Sequence, residues 1–320
     1  MDEKRFQYVS WCDLNILAIK IMSNYNWARK GMLLLENERH CNPDTPVVSL
    51  YLLTQEELNA VEDLRVSTYR EKIVQSGFYI GHHFGEKSFL KILDTKRIII
   101  CSDNAERLIW SVIIKYLLTV YADRQDMLHL KAAALEYGNR SFLVTGRGGG
   151  GKTKFVETLC GRYSDMDILS NTHTLVDPSN HAIGVVGNVR IHLQSGDQYI
   201  APRSLCQRIS EGRPIAAAIF WIQHNTGQSC KITRVDPECA FSNLMRFSAA
   251  IGNWELKEDI ADLSGDFFQM AGFFRREETR MRSLIESVPV FYLNTDITND
   301  AVQTGIRDLM ENILGELDAG

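Results

Sequence analysis

The segment that most constrains this chain is a run of glycines between two regular elements. Residues 146–153 read GRGGGGKT, which matches the pattern G-x-x-x-x-G-K-[ST]. A β-capable run (141–144) precedes it, and the helical stretch KFVETLCG follows. Glycine allows positive φ and brings backbone N–H groups close to an anion, while the next helix presents the positive end of its dipole. This order predicts a loop that binds phosphate rather than a flexible spacer.

The loop also predicts which residues contact a nucleotide. Lys152 is expected to reach the β and γ phosphates, and the Thr153 hydroxyl to hold Mg²⁺. Arg147 has two open interpretations, a γ-phosphate contact or a solvent-exposed side chain. The predicted cofactors are ATP or GTP, with Mg²⁺. The predicted phosphate-binding residues are Gly146, Arg147, Gly148, Gly149, Gly150, Gly151, Lys152, Thr153 and Lys154.

Composition narrows the class of protein. The net charge of −5 argues against a general nucleic-acid binder, which usually carries a basic surplus. The seven cysteines are widely spaced without a C-x-x-C pair, which is typical of reduced thiols rather than a disulfide framework. The charged N-terminus does not resemble a signal peptide, and the longest apolar stretch (108–122) is too short to span a bilayer. We expect a cytoplasmic protein.

The first part of the chain predicts a separate α+β lobe over residues 1–125, for acceptor recognition or oligomer contacts. Residues 1–45 are expected to be largely helical, with NILAIKIM and ARKGMLLLENE as apolar runs. A strand is expected at 47–54, and Thr54 with Glu57 predicts a capping box. Three β-rich runs (77–102) predict a small sheet, and Asp103 is expected to cap the helix that follows.

The second part, residues 126–320, predicts an α/β nucleotide-binding domain. Two β-runs flank Gly138-Asn139, a hairpin-type turn, and the second leads into the glycine loop. The helix after the loop is expected to stop at Gly161. IAAAIFWIQ, KITRV and PVFYLNT predict later strands, Asp236-Pro237-Glu238 predicts a helix start, and 299–317 a closing helix. Strands that alternate with helices favour the α/β class.

Four pieces of this region, in order, carry a resemblance to one family. They are KAAALEYGNRSFLVTG, GRGGGGKT, ILSNTHTLVD and GVVGNVRI, within residues 128–192. This order resembles the HPr kinase/phosphorylase-like P-loop kinases, which are related in fold to phosphoenolpyruvate carboxykinase. The resemblance implies an α/β P-loop core of that type with a smaller N-terminal α+β lobe. It also implies that Arg190 contacts a phosphate or the acceptor, although a surface strand residue is the equal alternative.

The chain departs from the family pattern at three positions. Lys131 stands where the family usually has histidine, and Asn171 and Thr172 stand where it has paired aspartates that assist the metal and deprotonate an acceptor serine. As a substitute, His173 is predicted to accept the acceptor proton, Lys131 to stabilise the transferring phosphoryl group, and Asn171 to bind Mg²⁺. A structural strand histidine is the open alternative for His173. Strand alternation predicts Asn171 and His173 on one face, near the P-loop strand if the two strands are neighbours.

These observations predict an ATP- or GTP-dependent kinase that transfers a γ-phosphoryl group to a hydroxyl. The predicted acceptor is a peptide serine or a small metabolite in a biosynthetic pathway, and the resemblance leaves room for a homo-oligomer. Neither nucleic acid nor a membrane is an expected partner. Two alternatives stay open: a nucleotide-binding regulator or pseudokinase, which the missing aspartates favour, and a phosphate-transfer enzyme with a non-hydroxyl acceptor.

Overall fold

The computed structural model describes residues 3–27, 33, 44–60, 68–69, 72–73, 78–80, 88–193, 196–204, 208–227, 231–248 and 267–319. These residues form two compact units. Unit 1 comprises the described residues within 1–121 and 192–199, and unit 2 those within 122–191, 200–255 and 266–320. Each unit is built from helices and mixed sheets, so the predicted α/β class is confirmed.

Unit 1 contains a six-stranded sheet in the order β1-β2-β3-β8-β7-β6. The β2–β3 and β3–β8 pairs are parallel and the others antiparallel. Its strands are β1 (Tyr8–Asp13), β2 (Ala18–Ser23), β3 (Val47–Leu52), β6 (Phe78–Ile80), β7 (Ser88–Asp94) and β8 (Arg97–Cys101). A short separate pair is formed by β4 (Thr68–Tyr69) and β5 (Lys72–Ile73).

The helix expected near the N-terminus is wrong where the structure describes it. NILAIKIM runs into strand β2, and the preceding YVSWCD forms β1. β2 lies between β1 and β3, and five of its six residues are buried. A strand covered on both faces is apolar throughout, so its pattern is the same as that of a short buried helix. Apart from Leu33, ARKGMLLLENE lies outside the described residues.

Two helix starts in this region had been predicted, and one is confirmed. Helix α1 (Gln55–Ala60) begins with the predicted capping box, because Glu57 accepts from the Thr54 N–H at 2.7 Å and donates its own N–H to Thr54 Oγ1 at 3.1 Å. The later helix exists, but Asn104 rather than Asp103 precedes it, without a side-chain cap bond. It runs as α2 (Ala105–Leu108), a π turn (Ile109–Ile113) and α3 (Ile114–Arg124).

Unit 2 is organised around a six-stranded mixed sheet in the order β12-β10-β11-β17-β19-β18. β11 is parallel to β17, and β17 to β19. Its strands are β10 (Ala132–Tyr137), β11 (Arg140–Thr145), β12 (Asp167–Ser170), β17 (Ile215–His224), β18 (Lys231–Arg234) and β19 (Val290–Thr295). A three-stranded sheet of the same unit contains β9 (Leu128–Leu130), β13 (His173–Val176) and β14 (Ala182–Val185).

A separate two-stranded pair consists of β15 (Val189–Leu193) and β16 (Gly196–Ile200), most of which is in the 192–199 segment assigned to unit 1.

Apolar side chains cover both faces of the large sheet. On one face, Phe142 and Phe220 pack with residues of α4 (Lys152–Arg162) and α7 (Asp300–Ala319). On the other, Leu143 and Ile219 pack with residues of α5 (Pro237–Leu244), α6 (Phe267–Ser287) and the three-stranded sheet. Single 3₁₀ turns occur at Glu3–Arg5, Pro202–Ser204 and Met245–Phe247. The two apolar layers therefore bury the central strands, whose ends lie at the candidate site.

Local turn and cap chemistry was largely predicted. Gly138 and Asn139 have φ values of 57° and 58°, which confirms the hairpin turn. Asp236 accepts hydrogen bonds from two N–H groups of α5, with Pro at the start of that helix, as predicted. The strands at 215–223 and in PVFYLNT and the closing helix are also confirmed. The stop at Gly161 is wrong, because α4 continues to Arg162.

The stretch ILSNTHTLVD, expected to be one strand, divides into two. β12 ends at Ser170 in the large sheet, and β13 begins at His173 in the three-stranded sheet. Ser170 Oγ donates to the His173 carbonyl at 2.7 Å, which stabilises the bend at Asn171 and Thr172. β12 pairs with β10 rather than with β11, so it is not the neighbour of the strand that leads into the glycine loop.

Across the described helices, none combines the length and the apolar composition that crossing a bilayer requires.

Candidate functional site

The glycine loop (residues 146–151) connects the end of β11 to the start of α4. A Cβ on Gly146 would lie 2.6 Å from the carbonyl oxygen of Ile222, on the parallel strand β17. Gly151 has φ +95°, and a Cβ there would lie 2.7 Å from the Cβ of His224. Neither position accepts a larger residue without a shift, so the loop backbone is held tightly against the end of β17.

Most N–H groups of this segment have no acceptor among the described residues. Gly150 donates to the Arg147 carbonyl at 3.0 Å, and Phe155 to the Gly151 carbonyl at 2.8 Å. Gly151, which precedes α4, provides no side-chain cap. Within the described part of the chain, no acceptor is found for the N–H groups of Gly148, Gly149, Gly151, Lys152, Thr153 and Lys154. Unpaired donors at a helix start form an environment that favours an anion.

Lys152 is a half-buried cation held by the loop itself. Its Nζ donates to the carbonyl oxygens of Gly146 at 2.7 Å and Arg147 at 3.0 Å. Burial, and then repulsion by the charge of Lys131, lower the pKa of Lys152 to about 8. No carboxylate among the described residues forms an ion pair with either lysine. The half-buried Lys152 ammonium and the exposed Lys131 ammonium, which repels it, therefore have no compensating carboxylate among the described residues.

The other predicted loop side chains differ in position. Thr153 is half-buried, and its hydroxyl has no protein partner in the described part of the chain. Lys154 is exposed and pairs along the helix with Glu157 at 3.3 Å. Arg147 is exposed, as are Gly148 and Gly149. Thr153 is thus available as a ligand, whereas the Lys154 ammonium is directed along α4.

Asn171 is engaged with the backbone of a neighbouring turn. Its Nδ2 donates to the Gly187 carbonyl at 2.9 Å, and its Oδ1 accepts from the Gly187 N–H at 3.1 Å. The side chain is only 6% exposed. One lone pair of Oδ1 is therefore used for structure, and the metal-binding role of Asn171 stays a prediction.

His173 lies in a buried histidine pair that the sequence did not predict. Its Nδ1 is 3.1 Å from Nε2 of His129, and the two residues are 4% and 0% exposed. Adjacent antiparallel strands, β13 and β9, bring the two rings together. His129 stands in the short run LHL, in which every residue is buried, so no periodic pattern distinguishes it. The described ring contact of His173 is with His129 rather than with the glycine loop.

Arg190 lies in β15, and its side chain is outside the described residues. Of the predicted site residues, the structure brings together the loop, Lys152, Thr153 and Lys131, whose carbonyl accepts from Thr145 Oγ1 at 3.3 Å at the end of β11. Asn171 and His173 instead make their described contacts at the bend between β12 and β13.

Sequence reasoning missed two residues beside the loop. His224 ends β17, donates its N–H to the Gly150 carbonyl at 3.1 Å, and accepts from the Ile297 N–H at Nδ1 at 3.3 Å. Asp296 follows β19 and accepts from the Gly227 N–H at 2.8 Å. Hydrogen bonds from Gly227 and Thr298 lower the pKa of Asp296 to about 2. His224 is the last residue of an apolar strand and Asp296 directly follows another, at the edge where α/β sheets bind ligands, and this position was the available indication.

The donor atoms at the loop fit a magnesium ion that is held mainly by phosphate. Among the described residues, no three His, Cys, Asp or Glu side chains converge on a potential metal position. Mg²⁺ at nucleotide sites keeps several waters and takes one or two protein ligands together with phosphate oxygens. The unpartnered Thr153 hydroxyl at the start of α4 fits such a ligand.

A separate cavity of about 320 Å³ lies beside α6 and is lined by residues such as Leu128, Val176 and Arg280. Arg280 pairs with Asp123, Asp126 and Glu277, so its charge is already compensated. No residue of the glycine loop lines this cavity. The arginine of this cavity is paired with carboxylates, whereas Lys152 at the loop has no carboxylate partner among the described residues. We therefore take the loop, rather than the cavity, as the candidate site.

No protein-family model matches this chain, and no curated protein matches it significantly in sequence.

Proposed function

We propose that unit 2 binds the magnesium complex of ATP or GTP at the glycine loop, and that the protein is a kinase that transfers the γ-phosphoryl group to a hydroxyl. The main support for this proposal is that Lys152 and Lys131 have no carboxylate partner among the described residues, beside a row of backbone N–H groups for which no acceptor is found there. Partial burial of the Lys152 ammonium without a charged partner is unfavourable, and an anion bound beside it would offset that cost, with the exposed Lys131 adding attraction.

Each group at the loop has a role in this proposal. The N–H groups of the loop and of the first turn of α4 would bind the phosphate oxygens. Lys152 would exchange its two carbonyl acceptors for β- and γ-phosphate oxygens, and Lys131 would add positive charge. Mg²⁺, held by Thr153 and the phosphates, supplies charge neutralisation when bound. Positioning and electrostatics would then provide most of the catalysis.

The proposed base for the acceptor hydroxyl is His173. A base needs a lone pair on an accessible ring nitrogen. In one tautomer of the contact with His129, His173 donates from Nδ1 to His129 Nε2, and the lone pair of His173 is then on Nε2. The acceptor would be a peptide serine or a small metabolite, and its hydroxyl would have to reach a ring that is now 4% exposed.

A nucleotide-binding and transfer assay tests the proposal. Binding of Mg-ATP and Mg-GTP is measured by calorimetry, and transfer with γ-labelled nucleotide and candidate hydroxyl acceptors. We expect Lys152→Met to weaken binding on the order of a hundredfold, as loss of a buried charge-assisted contact would. Lys231→Met, at an exposed lysine of β18, is the matched control and should bind like the wild type. Wild-type affinity of Lys152→Met, or no binding by the wild type, would overturn the proposal.

A second candidate is a nucleotide-dependent regulator without phosphoryl transfer. Two observations favour it: the Asn171 amide is engaged with Gly187, and His173 is buried against His129. The same assay distinguishes the two. A kinase loses transfer in His173→Gln while it keeps nucleotide affinity, whereas a regulator binds nucleotide with no label transferred in either form.

A further inference from the structure

His224 is hydrogen-bonded to the glycine loop through its backbone, and the proposed mechanism above does not use its ring. The backbone N–H of His224 donates to the Gly150 carbonyl at 3.1 Å. Its Cβ is 2.7 Å from the position that a Cβ on Gly151 would occupy. Gly151 immediately precedes α4, so the imidazole is held at the start of that helix.

The hydrogen bond at Nδ1 determines where the proton of the neutral ring lies. Nδ1 accepts from the Ile297 N–H at 3.3 Å, and a nitrogen that accepts carries no hydrogen. The neutral ring is therefore protonated at Nε2. Asp296 does not change this, since its Oδ1 is 3.9 Å from Nδ1, beyond hydrogen-bond range, and accepts from Thr298.

Nε2–H is thus a donor beside the loop. No acceptor for it is found in the described part of the chain, and the side chain is 23% exposed. In loops of this sequence pattern the glycine N–H groups contact the α and β phosphates, while the lysine and the hydroxyl residue act at the β and γ phosphates. His224 comes from the neighbouring strand and reaches the loop at Gly151, directly before Lys152 and Thr153.

We propose that His224 donates its Nε2–H to the terminal phosphate of the bound triphosphate, and so determines preference for tri- over diphosphate. This inference rests on the proposed nucleotide binding and specifies it further. A diphosphate lacks the acceptor that the ring would meet. Before binding, the backbone of His224 is bonded to Gly150 and its ring to the Ile297 N–H, so little ordering of the side chain is needed.

Two substitutions separate the donor from the packing of the ring. His224→Asn keeps an amide oxygen near the position of Nδ1, where it can accept from Ile297, but has no group at Nε2. His224→Gln places an amide NH₂ near Nε2. The matched control is His181→Asn, because His181 is also partly exposed, also lies near an aspartate (Asp177), and is bridged to Ile215 at the opposite end of β17.

The experiment measures Mg-dependent binding of non-hydrolysable ATP and GTP analogues, and of ADP and GDP, to the full chain. We expect His224→Asn to weaken triphosphate binding about tenfold or more, the effect of one lost hydrogen bond to a charged group, with diphosphate binding unchanged. His224→Gln should recover part of this loss, and His181→Asn should match the wild type. Thermal unfolding of each variant verifies that it is folded.

The possible results distinguish a failure of this inference from a failure of the proposed nucleotide binding. Equal weakening of tri- and diphosphate binding in His224→Asn, or no weakening of either, would overturn the role of His224 while nucleotide binding stands. If the wild type binds neither nucleotide class, the proposed function fails, and the inference fails with it. If His224→Asn is unfolded, His224→Ala replaces it in the binding experiment. The inference is then refuted if His224→Ala prefers triphosphate over diphosphate to the same extent as the wild type.

Discussion

At the scale of single residues, the candidate site is defined by an uncompensated charge. Lys152 is half-buried, and its two acceptors are neutral carbonyl oxygens. Neutral acceptors stabilise an ammonium less than a carboxylate or phosphate does, and Lys131 adds repulsion. The lowered pKa follows from these causes, and it provides a measurable property of the site.

Nucleotide affinity is expected to depend on pH through Lys152. The pKa of about 8 lies below the ordinary value of 10.5, so the ammonium is protonated below pH 8 and loses its proton above it. If the anion binds the protonated form, affinity is constant from pH 7 to 7.5 and falls by up to tenfold per pH unit above about 8. Calorimetry at pH 7–10 measures this, with proton uptake on binding as a second readout.

The variant Lys131→Gln tests whether the charge of Lys131 contributes to the lowered pKa of Lys152. Removing the neighbouring charge raises the pKa of Lys152, although burial remains the larger effect, so the decline in affinity should begin at a higher pH. An unchanged onset in Lys131→Gln would show that the two lysines do not interact.

At the scale of elements, the loop depends on its close contact with β17. Gly146→Ala would place a methyl group 2.6 Å from a backbone oxygen, which no side-chain rotation relieves. We expect a loss of about 1–3 kcal/mol in the free energy of unfolding, the range for overpacking and backbone strain. Denaturant unfolding measures it.

Gly148→Ala is the comparison within the same loop. No atom lies within 4 Å of a Cβ added at Gly148, so its stability should stay within about 0.5 kcal/mol of the wild type. If both variants lose the same stability, the proximity of β17 is not what constrains Gly146.

At the scale of the whole molecule, stability of unit 2 is expected to depend on the aromatic layer beneath the loop. Phe220 is fully buried in β17, with ring centroids 5.8 Å from both Phe142 and Phe155. Phe220→Ala should cost about 3–5 kcal/mol by the combined loss of burial and creation of a cavity. Leu317→Ala, at a position 44% exposed in α7, should cost less than about 0.5 kcal/mol. Chemical unfolding monitored by circular dichroism compares the two, and a Phe220→Ala cost as small as that of Leu317→Ala would contradict this view of the core.

The sequence by itself determined the features whose causes are local. Three such features are the Thr54–Glu57 capping box, the Gly138-Asn139 turn and the Asp236 cap. Each depends on residues within three positions of one another, so a short stretch of sequence contains all the interacting groups. The glycine loop belongs to the same class, because its positive φ values and its place between strand and helix follow from residues 140–162.

Tertiary structure alone decided the features that depend on partners far along the chain. Whether NILAIKIM formed a helix or a strand depended on β1 and β3 on either side of it. His173 met His129 because β13 pairs with β9, 44 residues away in sequence, and His224 met the loop because β17 pairs with β11. Such contacts are set by strand order and register, which hydrophobic pattern does not encode for strands buried on both faces.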